Sequence, residues 1–430
     1  MESPGFEHAP VDGHHNCDVA IIGGGYTGLS AALHLARTSN VDVRVLEAGH
    51  IGWGASGRNG GFCSLGGSKL GLSAAIRKFG IDAVRHYWQS QADAVGLVRN
   101  LVVDEGIDVQ IAGDCEFDVA LSAHSFAELK AYAEMQRSLL GLDTSVIGRD
   151  EFREQYFDST GQCGAIRIRP TFGLHPLRLL RGIAKAATRN GAVLHSHSEV
   201  VNWQKVDGMH LLSTRGGTVR AKSVIMATNG FMPEHLHAAF AARPMPMISA
   251  IVVTRPLSDA ELAAHDWKTV CPSITARKLL NYFRLLPDRR FLFGGRGHST
   301  GGEAGTAANF RLLHAQLRRL WPHWSDVPLE YQWQGLVCFT RRLTPAIGKL
   351  HDDDSVSFAY GYHGNGVNTA IWAGRELAGW LIKGGNAPGS IPAMVLGMSG
   401  RFPLAAFRTW YLRARLAMMR YADEFDRLRS

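Results

Sequence analysis

Residues 17–47 read CDVAIIGGGYTGLSAALHLARTSNVDVRVLE, and the order of elements they encode points to the fold. Residues 17–22 are a short apolar, β-branched run of the kind that forms a strand buried on both faces. Gly23-Gly24-Gly25-Tyr26-Thr27-Gly28 follows at once, and Leu29, Ala32, Leu33 and Ala36 then recur at helical spacing over 27–37. A second alternating strand, 41–46, ends in Glu47. A pyrophosphate is held where a helix N-terminus offers free backbone N–H groups and the positive end of its dipole. That requires a tight turn at Gly23, no side chain at Gly25 and close packing at Gly28. Glu47, nineteen residues past Gly28, is placed to accept both ribose hydroxyls of an adenosine. The expected fold class is α/β, a mixed α and β chain built on a Rossmann-like dinucleotide domain.

Composition bounds the rest. The 430 residues, 46% hydrophobic and 20% charged, suffice for one large or two intergrown domains and exclude disorder. Glycine supplies 48 residues, and these cluster, which suggests ligand sites cradled by backbone. No apolar run approaches the ~18 residues of a membrane span, and no basic-then-apolar leader opens the chain, so a cytoplasmic protein without a membrane span is expected. Six scattered cysteines with no CxxC pair imply a reducing compartment, no disulfide framework and no metal site. The net charge of +8 raises the question of nucleic acid. Basic residues are dispersed, however, apart from Arg311, Arg318, Arg319 and the tail from Arg401 to Arg429, so no nucleic-acid partner is expected.

Working outward, 73–100, 125–140 and 176–190 read as helices, and 161–169, 192–196 and 243–254 as extended. Strands at 200–205, 210–214 and 218–220, joined by Asp207-Gly208 and Gly216-Gly217, read as a meander, and a strand at 223–227 leads into Thr228-Asn229-Gly230. A third apolar strand, 357–360, opens GYHGNG at 361–366, and a helix follows over 367–382. Two glycine-rich turns more than 300 residues apart are thus expected as neighbours on one sheet. A further glycine loop, GASGRNGG at 54–61, comes too early for the substrate domain of a simple nicotinamide enzyme. An extended, N–H-rich backbone there could lie along the second half of a cofactor.

At these segments the chain resembles the D-amino-acid-oxidase-like FAD-dependent oxidoreductases, in the branch similar to gamma-glutamylputrescine oxidoreductase. The resemblance rests on DVAIIGGGYTGLSAALHLA, LEAGHIGWGASGRNGG, GLHPLRLLRGIAKAATRNGAVL, ATNGF, QGLVCFTRRLTPAIGKL and YGYHGNGVNTAIWAGRELAGWL, in the family's order over 17–384. It implies an FAD domain of 15–70, 155–235 and 335–400, intergrown with an antiparallel-sheet substrate domain of 71–154 and 236–334, and a helical tail at 401–430. It also implies that Ser56, Arg58, Asn59 and Gly60 run along flavin and diphosphate, that Val200 flanks the adenine, and that His363, Gly364, Asn365, Gly366 and Val367 meet the isoalloxazine. Tyr26, Thr27, Ala48, Gly61, Ala227, Thr228 and Gly361 complete the cofactor contacts expected from the same motifs.

The chemistry implied is non-covalent FAD taking a hydride from the carbon beside an uncharged amine nitrogen, giving an imine that hydrolyses. The partners implied are a small-molecule amine and an electron acceptor that is oxygen, a quinone or another carrier. His363 is the candidate catalytic residue, adding a hydrogen bond or positive charge near a reduced, anionic ring; the alternative is a buried structural histidine. In glycine- and D-amino-acid-oxidising members, an arginine two residues after the equivalent of Gly335 pairs with the substrate carboxylate. Here the position is Val337, which cannot clamp, although Arg341 or Arg342 could partly substitute. This favours an amine or a remote-carboxylate substrate. A glycine or D-amino-acid oxidase with another anchor, and a nucleic-acid-modifying flavoprotein, are the alternatives. Cys338 stands near the covalent attachment point of sarcosine-oxidising members, but its spacing to Thr344-Pro345 differs and a free thiol is expected. His195 and His197 are expected on one solvent face of a strand, without the carboxylates of a metal site. The basic amphipathic stretch 402–421 suits packing on the protein's own surface better than weak peripheral contact with an anionic membrane.

Overall fold

The opening apolar run becomes the Gly13–Ile22 strand at the centre of a twisted sheet in a computed structural model describing residues 6–38, 40–296, 302–404 and 407–428. The strand order is Ala346–Lys349, Val356–Tyr360, Gly217–Met226, Gly13–Ile22, Val43–Leu46, Val193–His195. All neighbours are parallel except the first pair, and the Asn202–Val206 and Met209–Ser213 strands add an antiparallel meander beside Gly217–Met226. Parallel strands need both faces covered, which accounts for the apolar character of 17–22 and 43–46. The Tyr26–Thr38 and Gly366–Lys383 helices lie against each other on one face. A Cβ on Gly374 would stand 2.3 Å from the Thr27 carbonyl oxygen, so only glycine permits that approach. The Ser30 hydroxyl donates to the Ile371 carbonyl at 2.6 Å across the contact. The two glycine turns therefore meet through their helices, while their strands are separated by Gly217–Met226.

A second sheet runs in the order Leu329–Phe339, Met245–Pro256, Arg290–Arg296, Asn281–Leu285, Ser273–Thr275, Glu116–Ala120, Gly164–Arg169, Asp143–Gly148. It is antiparallel apart from the pairing of Ser273–Thr275 with Glu116–Ala120. One face is closed by the Glu303–Leu320 helix and a buried aromatic cluster that includes Trp267, Phe283, Phe291, Trp321 and Trp324. The other face looks into the cavity described below. Arg284, fully buried, ties this sheet to the glycine loop of the first, donating to the carbonyls of Gly60 (2.9 Å) and Leu174 (2.7 Å).

Several expectations change. The helix expected over 73–100 is two helices, Leu72–Phe79 and Ile81–Asp104, because Gly80 takes φ +81° between them, a conformation that ends a helix. The strands expected at 218–220 and 223–227 are one, Gly217–Met226, held along its length by Gly13–Ile22. The N-terminal segment joins that pairing from Gly13, and Val11 is buried, its N–H donating to Ser198 Oγ at 2.9 Å; residues 1–5 lie outside the described residues. His195 and His197 do not share a face. The strand stops at His195, which is buried under Ala9, and His197 lies beyond it, exposed, at φ +50°. The tail helix, Arg408–Leu428, docks on the protein itself: Leu412 and Leu416 meet Met245, Met247 and Leu279, and Asp423 accepts the N–H groups of Lys278 (2.8 Å) and Leu279 (3.0 Å). Among the described residues, no helix is long and apolar enough to cross a membrane.

Candidate cofactor cleft and substrate chamber

A cavity of about 990 Å³, at the upper end of small-molecule sites, runs from the glycine turn after the first strand to the open face of the second sheet. At its first end Gly23 turns at φ +111°, its N–H donating to the Leu46 carbonyl at 2.9 Å. A Cβ there would lie 2.8 Å from the Ala227 carbonyl oxygen, and one on Gly28 would lie 2.0 Å from that of Gly23. Gly25 differs. Its Cβ would meet only Ser56 Oγ, at 3.0 Å, and otherwise open space. The backbone at Gly25 is thus bare on the cavity side, at the N-terminus of the Tyr26–Thr38 helix, which is what a pyrophosphate needs. Ser56 Oγ accepts the Tyr26 N–H at 3.0 Å. Glu47 is oriented by two backbone donors, Gly24 N–H at 2.7 Å and Gly49 N–H at 3.0 Å, and lines the cavity near Glu199 and Val200. This cradle fits FAD: a donor-rich turn for the diphosphate, a carboxylate for the ribose, and a long cleft for the ring.

Of the expected contacts, Gly23, Gly25, Tyr26, Thr27, Glu47, Ala48, Ser56, Arg58, Asn59, Gly60, Val200, Ala227, Thr228, Gly364, Asn365, Gly366 and Val367 all line this cavity. Gly28, Gly61 and Gly361 stand behind the lining. Each is held by a crowded neighbour, the Gly23 carbonyl, the Leu174 carbonyl (1.9 Å from a Cβ on Gly61) and the Thr340 methyl (2.2 Å from one on Gly361). The GASGRNGG loop is not extended: Ala55–Arg58 is a helical turn. Asn59 closes that turn by donating to the carbonyls of Ala55 and Ser56 and accepting the Gly61 N–H at 2.8 Å.

His363 does not have the atoms free for the catalytic role expected of it. It is fully buried, at φ +54°; Nδ1 donates to the Gly67 carbonyl at 2.9 Å and Nε2 accepts the Thr340 N–H at 3.2 Å. Both ring nitrogens thus serve backbone partners that fix the neutral tautomer. Burial, aided by the charge of Lys69, pushes the ring's pKa down to about 3, so it carries no positive charge at neutral pH. Arg341 and Arg342 do not reach the chamber either. Arg342 spends its guanidinium on the carbonyls of Leu396 (3.0 Å), Pro345 and Val395, and Arg341 donates to Arg401. Val337 lines the chamber beside Gly364, and Cys338, also on the lining, is only 1% exposed, its thiol pushed up to about 12 by burial.

Sequence reasoning missed four charged groups on the chamber wall: Lys69, Glu116, Asp118 and Arg296. Arg296 enters from the second sheet, donates to the His363 carbonyl at 3.1 Å and lies over the Phe339 ring. Burial pushes the Lys69 ammonium down to about 8, and raises both acids, Asp118 adding repulsion at Glu116. The available signal was EFDVA at 116–120, two acids at i and i+2 in an apolar strand. Away from the chamber, Cys115 and Cys271 come together as free thiols, Sγ to Sγ 3.1 Å, although the sequence scatters them.

The two-sheet architecture and the diphosphate cradle define a dinucleotide-dependent oxidoreductase. The comparisons with known proteins agree. Residues 18–380 match the DAO family, described as FAD dependent oxidoreductase. The chain is 32% identical over 386 residues to gamma-glutamylputrescine oxidoreductase of Escherichia coli (strain K12), spanning 88% of this chain and 87% of that one. It is 31% identical to the probable oxidoreductase OrdL of Rhizobium meliloti (strain 1021), over 88% and 85%. Among solved structures, glycine oxidase from Geobacillus kaustophilus superposes with TM-score 0.74 at 22% identity, over 90% of this chain and all of that one, which shows the shared fold. The chain belongs to the DAO family of FAD-dependent oxidoreductases. It is therefore a flavoenzyme that binds FAD and acts on an amine or amino-acid-like substrate.

Proposed function

We propose that the enzyme oxidises an amine whose carboxylate is absent or remote from the reacting carbon. The carbon loses a hydride and the nitrogen a proton, and water adds to the resulting imine to give a carbonyl compound and a free amine. Bound FAD supplies the two-electron acceptor. Val337 is the observation that carries the reading: it lines the wall beside Gly364, at the position where the family resemblance puts an arginine that pairs an α-carboxylate. The chain's own residues do the positioning. Backbone N–H groups at the start of the Gly366–Lys383 helix present its positive end to the cavity. Ile251, Leu280 and Trp88 give the chamber apolar walls, and Tyr282 is held in place by Ser249 Oγ at 2.9 Å.

A second reading has one observation in its favour. Arg296 reaches the chamber with one hydrogen bond among the described residues, to the His363 carbonyl, and its remaining donors could anchor an α-amino acid from the other side. Anaerobic mixing with a panel of diamines, N-acylated diamines, N-methyl amino acids and D-amino acids, followed by flavin absorbance, separates the two. Rapid bleaching by amines and slow bleaching by glycine and D-alanine is expected; the reverse order would overturn the amine reading in favour of Arg296.

A further inference from the structure

Two cysteines that stand far apart in the chain meet in the aromatic core of the second sheet, off the chamber lining. Ser273–Thr275 pairs in parallel with Glu116–Ala120, Ser273 opposite Phe117, and Cys271 and Cys115 precede that pair by two residues each. Both therefore point to the side that Phe117 takes. Their Sγ atoms are 3.1 Å apart, the Cys115 thiol donating to Cys271. Neighbouring strands stand about 4.8 Å apart, within the roughly 4.4–6.8 Å between Cα atoms that a disulfide spans. Donors surround the Cys271 sulfur. The Cys115 thiol, the Thr269 hydroxyl and the backbone N–H groups of Asp114 and Cys115 hold its pKa down to about 6 against the opposing effect of burial. Cys115, which donates to that sulfur, is pushed the opposite way, so the proton of the pair stays on it. The site lies just beneath the surface: Cys271 is 8% exposed, and its neighbour Val270 and Asp114 beside Cys115 are both exposed. A Cβ on Gly113, at φ +72°, would stand 2.6 Å from Cys271 Sγ, so glycine leaves that side of the sulfur without a covering side chain. Asp114 comes within reach of both sulfurs, but its carboxylate takes the Arg169 guanidinium at 2.7 Å. Two thiolates on a tetrahedral zinc would stand about 3.8 Å apart, wider than these are.

We propose that Cys271 and Cys115 are a peroxide-reactive thiol pair, in which hydrogen peroxide oxidises Cys271 and Cys115 closes the product to a disulfide. The Cys271 sulfur attacks one peroxide oxygen, the O–O bond breaks, and the second oxygen leaves as water, which makes Cys271 a sulfenic acid. The Cys115 sulfur then attacks that of Cys271. The S–O bond breaks, and the hydroxyl leaves as water with the Cys115 proton. In sum the two thiols lose two electrons and two protons, and one peroxide is reduced to two waters. A small dithiol reverses the step by thiol–disulfide exchange. The chemistry needs neither the flavin nor an amine, since neither sulfur is on the cavity lining.

The holoenzyme, reduced with dithiothreitol, freed of it and treated with equimolar hydrogen peroxide near neutral pH, tests this by peptide mass mapping without reductant. A Cys115–Cys271 cross-linked peptide is expected, in a protein two hydrogens lighter, with titratable thiols falling from the six of the sequence to four and returning with dithiothreitol. Cys163 is the internal control, being the least buried of the six. An ordinary thiol is only a few per cent thiolate at neutral pH, so Cys271 should react about tenfold or more faster than Cys163 despite its burial. Cys115→Ser keeps a hydroxyl donor at the Cys271 sulfur but removes the second thiol, and should accumulate a sulfenic acid at Cys271 that dimedone traps. Should that variant not fold, the map of the native enzyme decides alone. Oxidation falling first on Cys163, or on Cys271 without the cross-link, would overturn the pair. Zinc found in the purified protein by elemental analysis, and lost in Cys271→Ser, would overturn it in favour of a metal site.

Discussion

Replacing His363 by alanine tests whether that ring is a strut or a catalyst. The imidazole satisfies two buried backbone groups, the Gly67 carbonyl and the Thr340 N–H, and so joins the loop before the Leu72–Phe79 helix to the end of the Leu329–Phe339 strand and to its own turn. Removing it leaves both unpaired, at about 1–3 kcal/mol each, so a total near 4 kcal/mol is expected. With about 2.1 cal/mol/K of unfolding entropy per residue over 430 residues, that is a fall of about 4 °C in Tm. The sign of the pH effect follows from the lowered pKa. Above about pH 6.5 the ring is neutral folded and unfolded, and no penalty exists. As pH falls towards 3, the unfolded chain takes up a proton that the folded chain refuses, and stability drops by up to about 1.4 kcal/mol per pH unit. Thermal unfolding between pH 7.5 and 5 should therefore converge for the native enzyme and His363→Ala, the native advantage shrinking in acid. The pH profile of flavin reduction between 6 and 9 should keep all its ionisations. A variant of native stability that loses one ionisation from that profile would refute the structural role and restore the catalytic one.

Gly25→Val should fold and be colourless, because its side chain projects into the cavity, where loss of charged N–H contacts to the diphosphate weakens FAD by roughly 100-fold or more; a yellow variant with native FAD content would contradict the cradle. Gly28→Val should lose cofactor and fold together, since its Cβ would overlap the Gly23 carbonyl, and unchanged circular dichroism and Tm would count against that packing. Acid precipitation should release the flavin, Cys338 being buried and held as the thiol rather than the nucleophilic thiolate; a coloured pellet that Cys338→Ala abolishes would reverse this. Glu116 titrates in the opposite sense to His363. Its raised carboxyl contributes stability that is fully present below the ordinary carboxylate range near pH 4 and lost as pH rises through the folded value, so Glu116→Gln should flatten the loss of Tm above pH 5; an unchanged pH dependence would contradict its burial.

The parts of the molecule legible in the sequence are those whose signal is local. Strand, glycine turn, helix, strand and Glu47 span about thirty residues, and each feature has a steric or electrostatic reason that needs no distant partner. The register of Gly217–Met226 was not legible in this way. Ala221 and Lys222 fall between the two strands expected at 218–220 and 223–227, yet Ala221 pairs with Cys17 and Lys222 reaches Asp18, so the strand continues because its neighbour does. His363 failed for a related reason. Its flanking glycines suggested a ligand turn, and residues 362–367 do line the cavity, but the partners of its two nitrogens lie 296 and 23 residues away, and no spacing rule announces them.

Glu116 and Asp118 show where a pattern was present but its meaning depended on packing. Phe117 and Val119 enter the aromatic core while residues 116, 118 and 120 take the other face, so EFDVA reads equally well as a strand with one face in water. What changes that face is the cover laid over it. The Ala123–Leu140 helix packs Leu129 and Ala133 on Ala120, Ile166 and Ile168, and Leu65, from the loop that carries Lys69, joins the same cluster. The helix contributes Tyr132 and Gln136 to the chamber wall beyond this contact. A polar face that the alternation alone would leave in water is thereby enclosed with the cofactor cleft, and Glu116 and Asp118 stand on its wall.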